Sequence, residues 1–183
     1  MDWWWWATLG TLVVAAIGLY LSSTAGRLDR LHRRIHTSQL SLDAHLLRRS
    51  SVALEIAAAG VLDPASSMLI ADAAHAARTS SDEDQPARAR SESALTGALL
   101  ATLADPADVD EVRSGVLGDG LMEELAAACV RVELARRFHN DAVRACRQLR
   151  AQRAVRWFRL AGHTPMPASW EMDDGIPSGL RST

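Results

Sequence analysis

The chain has 183 residues and a formal net charge of −2, with 48 % apolar residues but only 5 % aromatic ones. That length fits one domain of ordinary size plus an appendage, and a core short of aromatics and rich in Ala, Leu and Val argues against a sheet and for closely packed helices. Every basic residue other than histidine is arginine, and the near-neutral total hides a segregation of charge along the chain.

The chain opens MDWWWWATLGTLVVAAIGLYLSSTAGRLDRLHRR, and between Trp3 and Gly26 it carries no Asp, Glu, Lys, Arg or His. As a helix this run spans roughly 36 Å, enough to cross a hydrocarbon layer of about 30 Å with some tilt. Trp3 to Trp6 suit one headgroup boundary and Tyr20 lies near the other. Arg27, Arg30, Arg33 and Arg34 follow at once. The positive-inside rule predicts that this flank, and everything after it, stays in the cytoplasm, leaving only Met1 and Asp2 outside. The competing reading is a cleaved secretory signal, for which Ser23-Thr24-Ala25 offers small residues. A signal begins with a positive segment, however, and this chain begins with Asp2.

Beyond the anchor, Leu28, Leu31, Ile35, Ser38 and Leu42 recur at steps of three and four, then Leu46, Ala53 and Ile56. The stripe predicts a helix over about 27–59, stopped by Gly60. Asp63-Pro64 is an N-cap with proline in the first turn, and the Ala-rich run after it predicts a second helix over 64–78. A polar break, TSSDEDQPARARSE, separates this from a third helix at 91–104, weakened by Gly97. Asp105 to Gly120 reads as an acidic, glycine-rich loop. A fourth helix is predicted over 119–161, with Glu123 and Glu124 in its first turn and arginines crowding its end, the polarity a helix dipole favours. Residues 163–183 hold several prolines and glycines and are expected to be extended or partly disordered. Cys129 and Cys146 stand roughly 25 Å apart along that fourth helix, too far to bridge.

The organisation expected is therefore all-α: an anchor at 3–26, a helical bundle at 27–162, and a tail. Four helices with short links pack most simply as an antiparallel, up-down-up-down four-helix bundle that continues the transmembrane helix. That path returns Trp157 and Phe158 to the membrane and carries the acidic loop to the far tip.

Two strings resemble the LemA family of bacterial membrane-anchored proteins. RRIHTSQLSLDAHLLRRS is similar to the family's first soluble helix, with Asp43, Leu46, Arg48 and Arg49 in place. ARRFHNDAV is close to its most distinctive string, with Ala135, Arg136, Phe138, Asn140, Asp141, Ala142 and Val143 in register, and ASWEMDD resembles its aromatic-acidic ending. The chain departs from the pattern at Leu54-Glu55, where the family has Pro-Asn, and at Gln39, where it has an aromatic. The resemblance implies a single-pass membrane protein with a helical cytosolic domain, no attached enzymatic activity, and at most a scaffolding role.

Two residue sets follow from the predicted layout. If Arg27 stands level with residues 156–160 of the fourth helix, Asp43 lies beside 140–143. Asp43, Asn140 and Asp141 then share a layer with Arg48 and Arg137 about one turn away, a cluster able to fix helix register; the plainer reading is that Asp141 pairs with Arg137 or Arg144 on an exposed face. The second set is lipid contact: Arg27, Arg30, Arg33, Arg34, Arg150, Arg153, Arg156, Trp157 and Phe158, each arginine near an anionic leaflet adding about 1 kcal/mol. The arginines at every third residue from Arg144 to Arg159 drift about 60° per step, so part of the row is plain solvated surface.

Other chemistry finds little support. His32 and His36 have metal-ligand spacing but no evident third ligand, and in a calcium-loop reading of Asp108, Asp110 and Asp119, Val112 and Arg113 stand where an oxygen ligand and a glycine belong. No phosphate-binding glycine loop, nucleophile elbow or zinc-protease motif occurs. The expectation is a non-enzymatic scaffold or adaptor without cofactor or metal. Its partners are the anionic inner leaflet and an unidentified protein, with self-association open and nucleic acid not expected, since no recognition motif accompanies the arginines. The alternatives are a regulatory module that captures a soluble partner and, from another class, a membrane-tethered hydrolase.

Overall fold

The computed structural model describes residues 3–80, 84–158, 162 and 164–181. The elements among them are all helical: α1 (Trp3–Ala58), α2 (Pro64–Thr79), α3 (Gln85–Thr102), α4 (Pro106–Ser114), α5 (Gly118–Ala151), α6 (Arg153–Trp157) and a 3-10 turn at Ser178–Leu180. The apolar opening and the first amphipathic stripe form one uninterrupted helix. Met1 and Asp2, and residues 159–161 at the end of the fourth expected helix, lie outside the described residues.

One local code starts three of these helices. Asp63 accepts hydrogen bonds from the backbone N–H groups of Ala65 and Ser66 at 2.9 and 3.1 Å. Asp84 accepts from Ala87 N–H at 3.0 Å, and Asp105 from Ala107 N–H at 2.9 Å. Each cap is followed by proline in the first two helical positions, where the missing donor costs nothing. The code explains two departures from expectation. α3 begins at Gln85 instead of 91, and the expected 105–120 loop contains α4. Gly118 opens α5 because a Cβ there would collide with the Val112 carbonyl of α4. At the other end, α5 stops at Ala151, and Gln152 adopts an extended ψ of 138° before the single turn of α6, so the expected continuous helix to 161 is broken.

The chain divides into two compact units, to both of which α1 and α5 contribute: Met1–Thr37 with Asn140–Ser169, and Ser38–His139 with Trp170–Thr183. In the first, Leu28, Leu31 and Ile35 of α1 share an apolar cluster with Ala142, Val143, Cys146 and Leu149 of α5 and Val155 of α6. In the second, the main core draws Val52, Ala53 and Ile56 from α1, Ile70 and Ala74 from α2, Leu95 and Leu99 from α3, Val109 from α4, and Met122 and Leu125 from α5. A smaller cluster holds Leu42, Leu46, Ala89, Val132, Ala135 and Trp170.

Paired side chains give the helix directions in this second unit. Asp43 pairs with Arg88 and Arg49 with Glu92, so α1 and α3 run parallel. Ser38 bonds His139 and Arg48 pairs with Glu124, so α1 and α5 run antiparallel.

The C-terminal segment is a second correction. Trp170 is 2 % exposed and Leu180 is buried in the main core. Thr96 Oγ1 donates to Asp173 O at 2.9 Å, and Asp173 N–H donates to Ser93 Oγ at 3.0 Å. Gly179 N–H donates to Leu103 O at 3.2 Å. The segment, expected to be extended or partly disordered, has no regular element over 164–177, yet backbone groups of Asp173 and Gly179 are satisfied by α3 and its C-cap.

Candidate functional site

From Trp3 to Tyr20 every residue of α1 is exposed, and only 6 % of the most apolar window of this helix is buried in the protein. By length and composition this one helix could cross a membrane. Several of its few polar side chains are satisfied within the helix. Thr8 and Thr11 donate to Trp5 O and Ala7 O, and Ser23 and Thr24 both donate to Tyr20 O, at 2.8–3.0 Å. Such back-bonding removes the desolvation cost those hydroxyls would carry in an apolar medium.

Immediately after this stretch, Arg27, Arg30, Leu31 and Arg34 fall at helical spacings of three and four on one face of α1. Ala145, Gln148, Leu149 and Gln152 repeat the same spacing at the end of α5 and just beyond it, and the two faces line an open groove of about 410 Å³. Arg33, one of the four expected lipid contacts on α1, is exposed and does not line it.

The arginine row on α5 is partly committed to the chain itself. Arg144 pairs with Asp141 one turn away. Arg147 donates from Nε and Nη2 to Pro167 O at 3.0 and 2.8 Å. Arg150, expected at the lipid, instead donates to Pro165 O and Thr164 O at 2.9 and 2.7 Å. Arg153 and Arg156 are exposed, and so are Trp157 and Phe158, at 84 % and 54 %. These two large rings follow the buried Val155, which shares its cluster with Leu28 of α1. Arg159 lies outside the described residues.

The expected register cluster is redistributed. Ser38 opposite His139 and Arg48 opposite Glu124 set position 43 against the part of α5 around Val132, not 140–143. Each charged member takes an ionic partner outside the set: Asp43 with Arg88 at 3.0 Å, Arg48 with Glu124, Arg137 with Glu133, and Asp141 with Arg144. Asn140 is buried.

A different buried cluster sits in the second unit, one that sequence reasoning did not single out. Arg49 and Glu92 are 1 % and 2 % exposed and pair at 2.8 Å. Arg49 also donates to Thr96 Oγ1 at 3.0 Å and to Glu92 O at 3.2 Å. Desolvation pushes the Glu92 carboxyl above its ordinary pKa despite the opposing pull of Arg49. Around it, Arg136 grips Asp174 with two hydrogen bonds of 2.7 and 2.9 Å, and the Arg88 guanidinium lies 5.5 Å from the centre of the Trp170 ring. Arg49 stood in the basic pair of the first string, but neighbouring Arg48 has the same chemistry and is exposed; only the position of α3 distinguishes them.

Both thiols are free and buried, and burial raises the pKa of each. Among the described residues no group of three or more His, Cys, Asp or Glu is placed to hold a metal ion. A further groove, of about 700 Å³, lies in the second unit between the start of α2, the end of α3 and α4, and includes Asp63, Asp108 and Glu111. Comparison with family models, with curated proteins and with solved structures finds no match to this chain.

Proposed function

We propose that the chain is a single-pass, non-enzymatic scaffold or adaptor of the LemA type, anchored by the first turns of α1 and lying on the cytoplasmic face. The observation that carries this reading is the fully exposed apolar run Trp3–Tyr20, continued without charge to Gly26 and then followed by four arginines and one acid, Asp29, over residues 27–34. An exposed surface of that kind needs an apolar medium to cover it, and the arginines match anionic headgroups at its edge. Trp157 and Phe158 add an aromatic contact at the same boundary, together with Arg153 and Arg156.

The parallel course of α1 and α3 and the antiparallel course of α1 and α5 support an up-down-up-down order for α1, α2, α3 and α5. The family assignment rests on the quoted strings. Ala135, Asn140, Ala142 and Val143 of the second string occupy buried positions, as residues that fix packing would.

The deciding experiment is alkaline extraction of membranes from cells making the full chain, with the mass of the recovered protein. Resistance to extraction and an intact N-terminal segment are expected. A soluble product beginning near residue 26 would establish the secretory-signal reading instead. A reporter fused after Thr183 tests the orientation, and activity on the outer side would reverse it.

The acidic groove favours the second reading, a module that captures a soluble protein. Beside it, Val116 and Leu117 are exposed in the turn between α4 and α5. Affinity capture from detergent extracts, compared with a chain changed at Val116 and Leu117 to Ser, separates it from the first: loss of one stoichiometric partner identifies capture through this tip.

A further inference from the structure

We infer that the groove between the Arg27–Arg34 face of α1 and the Ala145–Gln152 face is a binding site for the phosphomonoester headgroup of an anionic lipid, of the phosphatidic-acid class, in preference to a phosphodiester headgroup. This deepens the membrane-anchoring reading and rests on it. Arg27, Arg30 and Arg34 form one wall, Gln148 and Gln152 the other, and Leu31, Ala145 and Leu149 lie between them, the last of these buried. No carboxylate lines the groove.

The side chains along this part of the protein fall into two groups. On α5, the guanidinium groups of Arg144, Arg147 and Arg150 are taken up by Asp141 and by the carbonyls of residues 164, 165 and 167. The five polar side chains of the groove have no hydrogen-bond or ionic partner among the described residues. Gln152 stands at the N-cap position of α6, yet its side chain makes no capping bond. Three guanidinium forks and two carboxamides therefore line one groove as donors, and a group with several acceptor oxygens can satisfy them together.

Depth and charge select the ligand. Arg27 to Arg34 begin one residue after a run of about 36 Å and occupy roughly the next 10 Å along the helix, which is the headgroup layer of a bilayer whose core is about 30 Å thick. Helical side chains lean toward the N-terminus, here the membrane side, and Arg30 Nη1 lies 3.6 Å from where a Cβ on Gly26 would be. A phosphomonoester carries between about 1.5 and 2 negative charges near neutral pH and offers three terminal oxygens; a phosphodiester carries one charge and two such oxygens. Three arginines in a groove whose lining holds no acid favour the former. The apolar strip between the walls accommodates the glycerol end of the lipid.

The test uses the full chain in a neutral detergent, mixed with equimolar phosphatidic acid and phosphatidylglycerol, with retained lipid counted by native mass spectrometry. A preference for phosphatidic acid of roughly fivefold or more is expected. It should be lost in Arg30→Gln and in Arg34→Gln and kept in Arg33→Gln, which removes the same charge from the same collar outside the groove. All three positions are exposed, so folding is retained, and circular dichroism of each variant checks this. Equal retention of the two lipids, or equal damage from Arg33→Gln, would overturn the site while leaving the anchor untouched, because membrane insertion is read separately by alkaline extraction. Displacement of the lipid by stoichiometric glycerol 3-phosphate would overturn the lipid as the source of the phosphate.

Discussion

Replacing Arg49 by Met tests whether the second unit is organised around its buried ion pair. Methionine fills much of the same space without the charge, so the change isolates electrostatics from cavity formation. Arg49 pairs with Glu92 at 2.8 Å while the charge of Arg88 acts on the same carboxyl more weakly, so losing Arg49 leaves a carboxylate at 2 % exposure without its main counter-ion. Removing one partner of such a pair costs about 3–5 kcal/mol, and for a chain of this size that lowers the midpoint of thermal unfolding by roughly 6–20 °C. The Thr96 hydroxyl loses the donor it accepts from but still donates to Asp173 O, so it adds little to the cost.

The double change Arg49→Met with Glu92→Leu removes both charges and should restore the midpoint to near or above that of the parent, since buried pairs contribute little net stability over apolar residues of similar volume. Glu92→Gln keeps the shape and an acceptor for Arg49 but leaves that guanidinium buried without its counter-charge, so it should also destabilise. Burial already raises the Glu92 pKa, so the folded state binds that proton more tightly than the unfolded chain does. The contribution of Glu92 to stability is thus full below the ordinary glutamate range and is lost as pH rises through the raised value. Relative to the parent, Glu92→Gln should therefore look better at neutral pH than in acid. Thermal melts of the full chain in detergent give the midpoints, and hydrogen exchange of α3 amides reports the second unit separately from the first. The reasoning fails if Arg49→Met shifts stability by less than about 0.5 kcal/mol, as an exposed substitution would, or if the double change is as unstable as the single one.

Three other outcomes are expected. Trp170→Ala should cost about 3–5 kcal/mol, as truncation of a buried Trp does, and should open residues 170–181 to proteolysis; an unchanged digestion pattern would show that the segment is held elsewhere. Asp63 has its pKa lowered, first by hydrogen bonding with Ser66, so its stabilisation is present above the ordinary aspartate value and lost as pH falls below it. Asp63→Ala should lower the unfolding midpoint at neutral pH and have a smaller effect once Asp63 is protonated, whereas Asp63→Asn, which can still cap, should be mild throughout. Cys129 and Cys146 are 3 % and 0 % exposed, so maleimide should label neither in the folded protein at neutral pH and both after denaturation; rapid labelling of either in the native state would contradict its burial.

What could be read from the sequence depended on how local the signal was. The apolar run, the arginines after it, the Gly60 stop (φ 68°) and the Asp63-Pro64 start are all specified by neighbours along the chain, and α1 and α2 end where those residues say they should. Asp84 before Pro86 and Asp105 before Pro106 carry the same instruction. Charged and glycine-rich surroundings obscure it there, so periodicity alone starts α3 late and reads α4 as a loop. Composition outweighed capping there, and the structure reverses that order. The register of α1 against α5 is not local at all. It follows from which side chains fit across two long helices, and assuming equal rise from a common end placed Asp43 beside 140–143, when the pairs at Ser38 and Arg48 put it near Val132. The packing of the tail is illegible for a related reason: a segment without periodicity shows no partners until the fold supplies them, here Ser93 and Thr96 on α3 and Leu103 at its C-cap. Arg49 unites these cases. Its identity was visible and its neighbour Arg48 looked the same, but a hundred degrees of helix rotation separates a solvated cation from one that must be neutralised by Glu92, and that difference exists only once α3 lies against α1.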